Sequence, residues 1–135
     1  MLDGKGRMSI PTRYRDALVG TDPARTIVTL TQHPNGCLVM YPHDRWLIER
    51  EKVTQYPDSR RWLRRLVLGS ATDVEIDGSG RILIAPELRQ AAGLIKDVML
   101  VGLGEELEIW DTLKLAAKEK EDMAKAMASE EDYSS

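Results

Sequence analysis

Cysteine is almost absent. Cys37 stands alone among 135 residues, which excludes an internal disulfide framework and a cysteine-rich zinc site. Long apolar runs are missing too: no stretch approaches the roughly 20 residues that a membrane span needs. Residues 1–20 lack the apolar core of a signal peptide. Histidine is scarce, with only His33 and His43, each beside a proline in an expected turn. His33 and Cys37 stand four positions apart across an expected hairpin and offer at best half a metal site, so two turn residues are the plainer reading. These absences point to a cytoplasmic protein. The length suits one compact domain or two small modules, and 42% apolar residues are enough for a core.

Charge is unevenly placed. Residues 1–70 hold 12 Lys/Arg and 7 Asp/Glu, whereas residues 71–135 hold 7 and 15, so a total of −3 splits into +5 and −8. An acidic total is compatible with a polyanionic partner, because field and contact act locally on one face. It argues against indiscriminate nucleic-acid binding by the whole surface.

The chain repeats itself, a feature that governs every later assignment. Asp3-Gly4-Lys5-Gly6-Arg7-Met8-Ser9-Ile10-Pro11 recurs as Asp77-Gly78-Ser79-Gly80-Arg81-Ile82-Leu83-Ile84-Ala85-Pro86. Tyr14-Arg15 aligns with Leu88-Arg89, Ile27–Leu30 with Val98–Val101, and Leu38–Tyr41 with Leu107–Trp110. Two copies of a β-rich module are expected, over 1–43 and 71–114, joined by a helical link over 44–70 and followed by a C-terminal helix and tail over 115–135. In each copy Asp-Gly-x-Gly-Arg is a tight turn, since glycine reaches positive φ without steric cost. An aliphatic strand follows, and Pro86 suits the first position of a short helix that Gly93 stops. Thr72–Ile76 alternates and reads as the strand entering the second turn. The first copy lacks that strand, as only Met1 and Leu2 precede Asp3. So small a module needs a partner, whether the other copy, another subunit or both.

In the link, one helix starts at Asp44, and Pro57-Asp58-Ser59 ends it and caps the next. Trp62, Leu63, Leu66 and Val67 fall on one arc of that second helix, with Arg60, Arg61, Arg64 and Arg65 opposite. The arginine face reads as solvated or salt-bridged, or else as a contact for nucleic acid or an acidic neighbouring subunit. From Lys114 to Asp132 a charged helix with a fraying tail is expected, with a Glu121/Lys125 pair and a thin Met123/Met127 stripe.

Catalysis is poorly supplied. The Asp77 loop is no calcium loop, because Arg81 occupies the fifth ligand position and would repel the ion. Gly4-Lys5-Gly6 is no P-loop, which needs a longer glycine run ending in Gly-Lys-Ser/Thr before a helix. Asp3 and Asp77 sit beside glycine and arginine and form no acid–base pair. The expectation is no catalytic residue, no cofactor, no metal and no small-molecule substrate.

What recurs is cation beside glycine turn: Lys5, Arg7, Arg13 and Arg15 in the first copy, Arg81 and Arg89 in the second. Asp3 facing Arg7, and Asp77 facing Arg81, could be cross-strand ion pairs and nothing more, worth about 0.2–1 kcal/mol each. A carboxylate can also fix an arginine's rotamer, so that its guanidinium reaches a phosphate or a guanine edge with less entropy to lose. Phosphate contacts would then give salt-dependent affinity, and base contacts sequence preference.

Asp-x-Gly-x-Arg, an aliphatic strand and then Pro-x-x-x-Arg resembles the AbrB-like swapped-hairpin DNA-binding fold. The doubling of that pattern, the link Arg61–Ala71, and the strands Leu38–Tyr41 and Leu107–Trp110 resemble the bacterial MraZ family over Asp3 to about Trp110. The resemblance implies an α+β chain of tandem duplicated AbrB-like swapped-hairpin β-barrel modules with linking and C-terminal helices. It also implies a cytoplasmic, nucleoid-associated transcriptional regulator. Its partners would be double-stranded DNA, read as direct repeats upstream of the division and cell-wall gene cluster, and further copies of itself in a ring homo-oligomer. Arg7 and Arg81 would be the leading DNA contacts, Lys5, Arg13, Arg15 and Arg89 the supporting cations, and Asp3 and Asp77 the arginine-orienting residues. Ser79 stands where the first turn has Lys5, so the first turn is expected to bind DNA more strongly. An oligomeric scaffold or antitoxin-like protein-interaction module, acting through the acidic C-terminal helix, is the alternative.

Overall fold

Strands from the two sequence repeats pair with one another. The computed structural model describes residues 1–19 and 26–129. After the first glycine turn come β1 (Arg7–Ser9) and α1 (Thr12–Val19), then a hairpin of β2 (Ile27–Gln32) and β3 (Leu38–Pro42). Next are α2 (His43–Thr54), one 3-10 turn (Asp58–Arg60) and α3 (Arg61–Ser70), leading into β4 (Thr72–Glu75). After the second glycine turn follow β5 (Arg81–Leu83), α4 (Pro86–Ala92), β6 (Val98–Gly102), β7 (Leu107–Asp111) and α5 (Thr112–Ala128). The chain is thus α+β with antiparallel sheets: a β1–β5 ribbon and a five-stranded sheet in the order β4-β2-β3-β7-β6. The last residues of the expected C-terminal tail lie outside the described residues.

Local chemistry explains most of these elements. Pro86 begins α4, and Gly93 ends it in the left-handed conformation at φ +68°, where its N–H caps the last carbonyls. Asp111 caps α5 by accepting the Lys114 N–H at 3.0 Å. Asn35 and Gly36 close the β2–β3 hairpin, with Gly36 at φ +98°. His33 belongs to that turn, where its Nδ1 accepts the Asn35 N–H at 3.0 Å.

The centre of the large sheet is covered on both faces. On one, Val28, Leu30, Leu38, Met40, Leu107 and Ile109 pack against Met8, Ile10, Ile82, Ile84 and Leu88 from the ribbon and α4. On the other, Val39 and Tyr41 pack against Trp46, Val53, Leu63 and Val67 of α2 and α3. Strand β3 serves both cores, so its residues are apolar in succession instead of alternating. Thr29 and Thr31 are buried on the helical side and satisfied there: Thr29 donates to Asp73 at 2.8 Å, and Thr31 to the Val67 carbonyl. The four-residue apolar arc expected on α3 is narrower in fact. Leu63 and Val67, four apart, are buried, while Trp62 is 54% exposed. An arc of 100° per residue places Trp62 at the margin of the face that meets the sheet.

The pairing registers carry an approximate two-fold relation between the repeats. Met8 lies opposite Ile82, with Arg7 opposite Leu83 and Ser9 opposite Arg81. The Ile10 N–H donates to the Gly80 carbonyl at 2.9 Å, and its counterpart Ile84 donates to the Gly6 carbonyl at 3.0 Å. The Ile76 N–H reaches the Thr26 carbonyl as β4 comes off β2, and the Leu2 N–H reaches the Lys96 carbonyl beside β6. Leu2 also bridges to Met8.

Candidate nucleic-acid interface

Each glycine turn is built round its aspartate. Oδ1 of Asp3 accepts the backbone N–H groups of Lys5 at 2.8 Å and Arg7 at 2.9 Å. Oδ1 of Asp77 does the same for Ser79 and Arg81 at the same two distances. The second oxygen takes the arginine: Arg7 Nε lies 3.0 Å from Asp3 Oδ2, and Arg81 Nε lies 3.5 Å from Asp77 Oδ2. The backbone N–H of Arg7, then that of Lys5 and the Arg7 guanidinium, hold the Asp3 carboxyl below the ordinary carboxylate range. For Asp77 the Arg81 N–H leads, followed by Ser79 and the charges of Arg81 and Arg7. One carboxylate therefore fixes both the turn backbone and the rotamer of the arginine after it.

The ribbon then points both arginines the same way. Met8 and Ile82 are buried, so the pleat turns Arg7, Ser9, Arg81 and Leu83 outward. Arg7 and Arg81 are diagonal neighbours on that face, a relation that places the two residues roughly 7–8 Å apart. That Arg7 acts on the Asp77 carboxylate agrees with this proximity.

The helix arginines cross over. Arg15 on α1 lies against the second turn, where a Cβ built on Gly80 would meet its Cζ at 2.6 Å. Arg89 on α4 lies against the first turn, where a Cβ on Gly6 would meet its Cζ at 2.7 Å. Both glycines hold positive φ, +82° at Gly6 and +77° at Gly80. Glycine is needed there twice over, for the backbone conformation and for the close approach. Nothing in the linear spacing reveals this exchange, because Arg15 and Arg89 follow their own turns in sequence. The second glycine of each Gly-x-Gly was the one available signal. The Nε atoms of Arg15, Arg81 and Arg89 are buried and make no hydrogen bond among the described residues. Arg81 Nε is ion-paired with Asp77 but outside good hydrogen-bond geometry.

The remaining cations differ in setting. Lys5 is exposed at the first turn. Arg13 is not gathered with the turn residues; its guanidinium stacks 4.7 Å from the Tyr14 ring centroid. Arg15 is steadied by donating from Nη2 to Thr12 Oγ1 at 2.8 Å. On the linking helix most of the arginine face is engaged locally. Arg60 stacks on Tyr56 at 4.3 Å, Arg64 donates to the Tyr56 carbonyl at 2.9 Å, and Arg61 and Arg64 both lie within 4 Å of Asp58.

Among the described residues no group of three or more His, Cys, Asp or Glu is placed to hold a metal ion. Burial pushes the Cys37 thiol up to about 12. No described helix is long and apolar enough to cross a membrane.

Known proteins align with nearly the whole of this sequence. The family described as "MraZ protein, putative antitoxin-like" matches residues 1–64 and 67–132, so that each match contains one glycine turn. A transcriptional regulator MraZ of Bordetella pertussis is 56% identical over 126 residues, 93% of this chain and 87% of that protein. Proteins of the same name from Paraburkholderia phytofirmans and Verminephrobacter eiseniae are 52% and 51% identical over the same shares.

Proposed function

The chain belongs to the MraZ family, and from that premise we propose that it is a sequence-specific regulator of transcription that binds double-stranded DNA and is not an enzyme. Its targets are direct repeats upstream of the division and cell-wall gene cluster, and it acts from the cytoplasm and nucleoid. The observation that carries this reading is the outward face of the β1–β5 ribbon, where Arg7 and Arg81 project from turns braced by Asp3 and Asp77. Lys5, Arg13, Arg15 and Arg89 are the supporting cations. Arginine suits the task because its planar fork reaches two acceptors at once on a phosphate or a guanine edge.

In this reading residues 1–43 and 71–114 act as two AbrB-like swapped-hairpin modules, linked by 44–70 and followed by 115–135. Self-assembly into a ring is supported by apolar surface left uncovered within one copy. Met99 on β6, Ile95, and Leu113, Met123 and Met127 along α5 are all exposed. Among the described residues β6 pairs only with β7, so its outer edge is open.

The test is a salt-titrated binding assay that compares a promoter duplex carrying direct repeats with a scrambled duplex of equal length. Six engaged cations predict roughly a five-log fall in affinity per log unit of salt, together with preference for the promoter. Equal, weak binding to both duplexes would overturn sequence-specific regulation. Mass measurement in solution checks assembly, where a monomer at micromolar concentration would overturn the ring.

A further inference from the structure

We infer that the DNA-facing surface holds two phosphate-binding units, each assembled across the repeats: the first turn with Arg89 of α4, and the second turn with Arg15 of α1. The inference rests on the DNA-binding reading above and says which residues act together.

Three observations carry it. Each helix arginine lies against the other repeat's glycine, close enough that any side chain there would collide. The exchange is reciprocal, and the same two turns exchange backbone hydrogen bonds through Ile10 to Gly80 and Ile84 to Gly6. At these crossings the Nε donors of Arg15, Arg81 and Arg89 are buried without a hydrogen-bond partner among the described residues, although such donors are normally satisfied. These Nε edges are turned into the protein, so a phosphodiester oxygen set between a turn arginine and the crossed helix arginine accepts from the outer Nη groups of the two forks.

The exchange sets the charge of each unit. Asp3, Lys5 and Arg7 with Arg89 carry +2, and Asp77 and Arg81 with Arg15 carry +1. The difference is Lys5, which stands where the second turn has Ser79.

Double-mutant cycles on the promoter duplex test the assignment, with the full chain at fixed salt and a thermal melt of each variant to verify folding. Arg7→Ala, Arg15→Ala and Arg89→Ala each weaken binding several-fold. Groups that share one phosphate are coupled, whereas independent sites add within about twofold. The Arg7→Ala/Arg89→Ala pair is therefore expected to lose several-fold less than the product of its singles, and Arg7→Ala/Arg15→Ala to lose the full product. Arg89→Lys, which keeps the charge, covers the case in which Arg89→Ala melts early. Coupling of Arg7 to Arg15 instead, or strict additivity in both pairs, overturns the crossed units while leaving DNA binding intact. No loss in any single variant overturns the DNA-binding reading itself.

Discussion

At the scale of single residues, the two glycines of the first turn have different duties. Gly6 combines φ +82° with the Arg89 guanidinium where a Cβ would stand, whereas nothing lies within 4 Å of a Cβ on Gly4. Gly6→Ala is expected to cost about 1–3 kcal/mol, read as a lower urea midpoint, and Gly4→Ala within about 0.5 kcal/mol. The aspartates make a second prediction. Their folded carboxyls titrate below the unfolded value of 3.8, so their contribution is present above that pH and is lost as pH falls through the folded values. Melting temperature should therefore drop as the wild type is taken from pH 5 towards 3. The Asp3→Asn/Asp77→Asn variant should begin lower and decline less steeply; an unchanged acid limb would refute the bracing role. Cys37, buried with its thiol pushed up to about 12, should alkylate at pH 8 more than about tenfold slower in the native protein than in denaturant. The Asp–Arg pairing was legible from four-residue spacing. The seating of Arg15 and Arg89 was not, because side-chain approach across repeats leaves no mark in local sequence beyond a glycine.

At the scale of elements, those with a strong local signal stand where the sequence puts them. Pro86 and Gly93 bound α4, and the strand expected over Thr72–Ile76 stands as β4 over Thr72–Glu75. Strands β1 and β5 are only three residues each, too short for periodicity to name a partner, and their mutual pairing emerges only in the fold. Helix α3 shows the limit of arc reasoning, since periodicity locates a face but not its edges. Leu63→Ala is expected to cost about 2–4 kcal/mol and Trp62→Ala no more than ~1, compared by chemical denaturation. A larger loss at Trp62 would mean that a second copy covers it.

At the scale of the whole molecule, the repeats share a ribbon through β1–β5 and a sheet through β2–β4 and β3–β7, so each half completes the other. Duplication itself was readable from the sequence. Which strands pair across the repeats was not, because a repeat states what is alike and not what touches. One cooperative transition is expected in calorimetry, with equal van't Hoff and calorimetric enthalpies, and two resolved transitions would contradict so shared a core. The pseudo-two-fold ribbon has a consequence for evolution and orientation. A homodimer of half-length chains must change both of its hands whenever it changes one, and such a pair suits palindromes. Once both hands are written in a single gene, Lys5 and Ser79, or Arg13 and Glu87, can drift apart separately. If the two turns contact DNA as proposed above, such a molecule has distinguishable left and right hands and would bind an asymmetric site in one orientation in preference to the other.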